Sequence, residues 1–221
     1  MTEWWTYRPS DFLLFAPRTY YRLVELYNTD VWPAQLAAVA IALLLLLLAW
    51  RGGEQAGRAA AAVLATAWTF VAWRFHWLHY ATINWAAAYF AGAFAAQALL
   101  LAGAGAASAL RFGPITPGLR IAGVAVAMVA LALQPALALG LGRPWAQVEV
   151  VGLAPDPTAV FTLGLLLLAR QAPWWLFPIP VFWCLTSGMT LWTMGAADAF
   201  VPPLAAVTTI VAAFATRSRV R

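Results

Sequence analysis

Between Asp30 and Arg51 the chain runs for twenty residues, VWPAQLAAVAIALLLLLLAW, without a charge. An α-helix needs about 20 apolar residues to cross roughly 30 Å of hydrocarbon. In lipid every backbone N–H and C=O must be satisfied inside the structure, which leaves only helices and closed barrels. The pattern repeats along the chain. Apolar stretches follow at residues 31–50, 59–77, 82–110, 119–141, 157–169, 174–194 and 199–216, of which the fifth is short and the seventh carries Pro202 and Pro203. A chain that is 64% hydrophobic and 10% charged lies far outside the soluble average. The expected fold is therefore all-α, a polytopic membrane helix bundle of about seven transmembrane helices, with the lipid bilayer as its main partner.

Charge gives the bundle a direction, because arginine is enriched in short cytoplasmic loops. With the carboxyl terminus inside, the inner segments hold Arg51, Arg58, Arg111, Arg120, Arg170, Arg217, Arg219 and Arg221 against one acid, Glu54. The outer segments hold Arg8, Arg18, Arg22, Arg74 and Arg143 against Glu3, Asp11, Glu25, Asp30, Glu149, Asp156 and Asp198. An outer amino terminus and a cytoplasmic carboxyl terminus follow. The opening MTEWWTYRPSDF has no basic lead into a short apolar run, so no cleaved signal peptide is expected.

The same composition removes several functions. There is no lysine, so no Schiff base can form with a chromophore or carbonyl substrate. Cys184 stands alone, so neither a disulfide framework nor a cysteine metal cluster is available. The formal charge of +5 is spread as single arginines and makes no basic stripe for nucleic acid.

Ahead of the first apolar stretch, PRTYYRLVELYNTD places Tyr20, Leu23, Val24 and Tyr27 on one helical face and Arg18, Arg22, Glu25 and Thr29 on the other. This amphipathic helix is expected to lie in the outer interface. The alternative is a helix that binds a partner. Three regions result: an outer interfacial segment, 1–30; a seven-helix bundle, 31–216; and a basic cytoplasmic tail, 217–221.

Both histidines fall in WRFHWLHYATINW, with three tryptophans around them. Aromatic residues and a snorkelling Arg74 are what an outer membrane interface attracts. If the second span stays α-helical to Tyr80, His76 and His79 share a face, a spacing that could hold a metal as a pair. Two ligands do not make a site, and no metal or other cofactor is expected. Two histidines this close on one helix also cannot approach a haem from opposite faces.

Neutral polar residues lie deeper: Asn84, Gln97, Gln134, the pair Thr158 and Thr162, and Thr186 with Thr190. Hydroxyls at such positions often bond their own helix or bind helices together. A functional reading draws on the prolines around them. The run VEVVGLAPDPTAVFTLG starts a short helix with Asp156 as cap and Pro157 at its first position, and APWWLFPIPVFW adds three more prolines. Half-length helices at membrane depth line enclosed cavities. The pathway residues so inferred are His76, His79, Asn84, Gln97, Gln134, Asp156, Thr158, Thr162, Thr186 and Thr190, with the two threonine pairs facing one cavity.

The motifs WWTYRPSDFLLF, DVWPAQ and PDPTAVFTLGLLLLA resemble an uncharacterised family of bacterial multipass membrane proteins, a domain-of-unknown-function group, over essentially the whole chain. Members often read Cys-Pro-Thr-Thr where this chain has Asp156, Pro157, Thr158 and Ala159, so no role for that cysteine or second threonine carries over. The resemblance implies a bacterial inner-membrane protein and no known activity.

The leading reading is a channel or facilitative transporter for a small neutral or weakly charged solute. Its alternative is a non-catalytic membrane subunit or scaffold, which docks a partner through the outer helix and the tryptophan-rich rim, or pairs as a homo-oligomer. An enzyme ranks third, since no nucleophile stands with a base, and there is neither a carboxylate dyad nor a histidine box.

Overall fold

The computed structural model describes residues 15–217. The WWTYRPSDFLLF motif up to Leu14 and the tail from Ser218 onward lie outside the described residues. Among the described residues there are eight α-helices. They are α1 (Pro17–Asp30), α2 (Ala34–Arg51), α3 (Glu54–Phe70), α4 (Ala87–Ala106), α5 (Pro117–Gly140), α6 (Pro155–Leu168), α7 (Pro178–Thr193) and α8 (Val201–Arg217).

The sequence periods account for these boundaries. Pro17, Pro117 and Pro155 stand in first turns, where a missing N–H costs nothing. Gly52 and Gly53, with φ of 75° and 112°, supply the left-handed backbone that reverses the chain between α2 and α3. Two helices widen into π turns: α3 continues directly as Val71–His79, and α5 contains Val129–Leu133.

Seven helices occupy the seven apolar stretches, yet four segments, not seven, are long and apolar enough to cross a membrane: Ala34–Arg51, Ala87–Ala106, Pro117–Gly140 and Trp174–Thr193. The shortfall has physical causes. α3 carries Arg58 in its first turns and leads into Arg74 and His76. α6 has only 14 residues, about 21 Å at 1.5 Å per residue, and α8 is also short.

α6 is the centre of the fold. All 14 of its residues are buried, and it packs against α2, α3, α5, α7 and α8. A helix apolar all round belongs inside, and here protein encloses it. Close crossings depend on glycine: a Cβ on Gly164 would sit 2.6 Å from the Ala127 nitrogen, and one on Gly188 would sit 2.1 Å from Pro203 Cγ.

The bundle has two distinct ends. At one, β1 (Arg111–Phe112) pairs antiparallel with β2 (Ala169–Gln171), and Gly53 bridges to Phe112. Arg58 Nε reaches Ser108 Oγ at 2.7 Å, and Arg120 Nη2 reaches the Trp50 carbonyl at 3.0 Å. At the other end α1 lies along the segment before α6. Asn28 Nδ2 donates to the carbonyls of Ala146 and Val148, and the Tyr27 hydroxyl donates to that of Leu153. The amphipathic helix expected from sequence is present, but Tyr20, Leu23, Val24 and Tyr27 are buried against the chain's own segments. Exposed Trp32, Trp73, Trp77, Trp85, Trp145 and Trp192 ring this end, while Trp50 and Trp174 mark the ladder end.

Candidate functional site

The α1 end encloses a chamber of about 30 Å³ lined by Tyr20, Tyr21, Gln134, Arg143, Glu149, Asp156 and Asp198 among others. That is room for about two waters. Asp156 enters from the first turn of α6, where the helix dipole favours a carboxylate. The helix begins at Pro155 with Ala154 as its cap, so Asp156 sits inside the first turn and does not cap it as expected. Its carboxylate is buried and takes two neutral donors from α7: Trp183 Nε1 at 2.8 Å and Ser187 Oγ at 2.5 Å.

Glu149 approaches from the segment before α6 and accepts the Tyr20 hydroxyl at 2.7 Å. Burial, then the negative charge of Asp156, raise the Glu149 carboxyl well above the ordinary carboxylate range. Burial also raises the Tyr20 hydroxyl. Arg143 is committed elsewhere: it pairs with Asp198 and lies 4.8 Å over the Tyr21 ring. The chamber thus holds three carboxylates and one arginine, and its charges do not balance.

Gln134 joins the lining, and its Oε1 is buried without a hydrogen-bond partner among the described residues. A second void, about 20 Å³, adjoins it through Tyr20 and Leu191 and is lined by Tyr80, Trp183, Thr186, Ser187 and Thr190. The smaller void borders an aromatic layer. His76, fully buried, has its ring 4.5 Å from Phe94 and 4.9 Å from Trp183, and the Phe94 ring lies tilted 4.3 Å from Trp68. Neither ring nitrogen of His76 has a hydrogen-bond partner among the described residues.

The π stretch corrects the expected histidine pair. Its i→i+5 bonding changes the angular step, so residues three apart no longer stack. His76 turns into the aromatic layer, while His79 turns to Tyr27, with Nδ1 2.7 Å from the Arg74 carbonyl and Nε2 3.6 Å from Asp30 Oδ2. Among the described residues no three histidine, cysteine or acidic groups are placed to hold a metal.

The expected threonine lining also needs correction. Thr158 donates to the Ala154 carbonyl and accepts from Gly152, while Thr162 donates to Thr158 and accepts from Trp68 Nε1 at 2.9 Å. Both are buried helix contacts, away from the chamber. Thr190 donates to the Thr186 carbonyl, and these two touch only the smaller void. Gln97 donates to Leu176, and Asn84 Oδ1 accepts the Ala86 amide in the turn before α4. Of the inferred residues the fold therefore gathers Asp156 and Gln134 at the chamber, with Thr186 and Thr190 next to it.

Glu149, Tyr20, Arg143, Asp198 and Trp183 complete the site and were absent from the inferred set. Glu149 stands alone in the apolar run VEVVG, and that isolation was its one sequence signal. Tyr20 lies 129 residues from it, beyond the reach of any local pattern.

These features define an all-helical protein with four membrane-length apolar helices and a buried polar chamber at one end. The chain belongs to DUF6064, a family of unknown function, whose match covers residues 18–221. No curated protein and no solved structure matches it.

Proposed function

We propose that the protein is a facilitative carrier in a bacterial inner membrane, closed in this structure, that takes a small donor-rich solute into the chamber at the α1 end. All seven helices from α2 to α8 lie across the bilayer in this reading, α6 held at membrane depth by protein. The ladder end, with Arg51, Arg58, Arg111, Arg120 and Arg170, faces the cytoplasm. The supporting observation is Asp156: a buried carboxylate at the head of an enclosed half-length helix, held by neutral donors only. An ionisable group so placed marks a solute site by default, and helix ends at membrane depth build such sites.

The carboxylate excess sets the solute class. Glu149 and Asp156 call for protons or a cation, since Arg143 is already paired with Asp198. A small cationic solute with several N–H donors fits that charge. An open channel fits poorly, because the chamber and the adjoining void are small and the latter is walled by Trp183, which packs against His76 and Phe94. Docking through α1 is also disfavoured, because its apolar face is spent on the chain itself.

Proteoliposomes loaded with full-length protein provide the test. Uptake of guanidinium and of its neutral isostere urea is measured against protein-free vesicles. The carrier reading predicts saturable uptake that favours guanidinium and falls at least about 10-fold in Asp156→Asn, whose shape is preserved. Uptake of neither solute above protein-free vesicles would count against it and leave the non-conducting subunit as the better reading.

A further inference from the structure

The ladder end holds a second cavity, unlike the chamber in every respect. It is an open apolar groove of about 450 Å³ among α5, α6, α8 and the segment that leads into α7, with walls that include Leu119, Leu166, Phe177 and Phe214 and with Arg170 and Trp174 in its lining. Sites of a few hundred Å³ with apolar walls and one or two polar groups bind ligands of lipid-chain size. Arg170 is exposed on β2. Among the described residues its guanidinium has neither a hydrogen bond nor an ion pair, whereas Arg58, Arg111 and Arg120 are bonded to Ser108 or Trp50. Five arginines and one acid, Glu54, belong to the described part of this end.

We propose that this groove binds an anionic phospholipid, with an acyl chain along the apolar walls and the phosphate on Arg170, with Trp174 beside it. Charge complementarity selects that occupant. A free cation at the mouth of an apolar groove lacks only an anion attached to a hydrocarbon chain, and basic pockets between helices on the cytoplasmic side recognise such headgroups. The contrast lies in the larger groove near α1, about 510 Å³, lined by Trp32, Leu36 and Trp145 with the neutral polar residues Asn28 and Gln35. That groove has no arginine in its lining and no reason to prefer an anionic lipid.

The test uses purified full-length protein in detergent, so it depends neither on orientation nor on the chamber. Phosphatidylglycerol and phosphatidylcholine with identical chains are titrated, and lipid-bound protein is counted by native mass spectrometry. Phosphatidylglycerol should bind more tightly, and Arg170→Gln should weaken it about fivefold, the factor for about 1 kcal/mol per basic residue, leaving phosphatidylcholine unchanged. Ala172→Phe, which fills the groove, should reduce both. Equal binding of the two lipids, or phosphatidylglycerol binding untouched by Arg170→Gln, would overturn the proposal. Arg170 is exposed and unpaired, so its substitution tests binding without endangering the fold.

Discussion

The two ends of the bundle handle charge in opposite ways. At the ladder end Arg58, Arg111 and Arg120 are bonded to backbone or hydroxyl groups, and Arg170 is exposed without a partner among the described residues. At the α1 end, Glu149, Asp156, Asp198 and Arg143 turn inward around a chamber, each held by a named partner. Surface charge costs little and orients the protein, while enclosed charge is expensive and persists where something is to be bound. In the proposed carrier, the difference separates the end that would set topology from the end that would carry the chemistry.

One large effect is expected where the ends join, along α6. Gly164→Ala places a Cβ 2.6 Å from the Ala127 backbone nitrogen, which cannot give way as a side chain can. Overpacking of this kind costs about 1–3 kcal/mol, so thermal unfolding in detergent should occur at clearly lower temperature. An unchanged midpoint would mean that α5 and α6 do not cross this closely.

Asp156 sharpens the comparison at the chamber. Asp156→Ala leaves Trp183 Nε1 and Ser187 Oγ without their acceptor, a cost of about 1–3 kcal/mol for each buried group. Asp156→Asn keeps an acceptor for Trp183 and can donate to Ser187, so it should stay near wild type in thermal unfolding. Equal midpoints for Ala and Asn would show that these bonds are not made.

A smaller effect follows from Glu149, which faces Tyr20, Asp156, Arg143 and Asp198. Its folded carboxyl holds a proton more tightly than the unfolded one. The stability it contributes is therefore fully present below about pH 4.3, the ordinary value, and is lost as pH rises through the raised folded value. Thermal unfolding should shift downward across that window, and Glu149→Gln, which can still accept from Tyr20, should flatten the slope. Smallest is Arg111→Gln at the ladder end. This exposed contact to the Ser108 carbonyl should change stability by less than about 0.5 kcal/mol, and a larger loss would show that the ladder end is more than a topological marker.

Much of the fold was legible because membrane helices announce themselves as apolar runs, punctuated here by Pro117, Pro155 and the Gly52–Gly53 turn. The face of α1 was legible too, since Tyr20, Leu23, Val24 and Tyr27 share a period of 3.6 residues. The enclosure of α6 was not. Length and composition describe α6 as short and apolar, but only packing shows it enclosed on every side. The π stretch escaped because nothing in VAWRFHWLH departs from ordinary helix composition, and it is the π turn that separates His76 from His79. At the site, Asp156 and Gln134 stood out as polar residues among apolar ones. Their partners Trp183 and Glu149 come from other elements, and sequence carries no distance across elements. Thr158 and Thr162 misled because a helix can satisfy a hydroxyl internally, as it does here.

The central claim, that the enclosed carboxylates of the α1 end form a solute site, is tested most directly by equilibrium binding. A ligand that binds only the folded protein raises its unfolding temperature by mass action. Guanidinium and urea, both held at low millimolar concentrations where neither denatures, are compared at neutral pH on wild type, Asp156→Asn and Arg111→Gln. The account predicts saturable stabilisation by guanidinium in wild type and Arg111→Gln, and none in Asp156→Asn. Identical curves for all three proteins would contradict it.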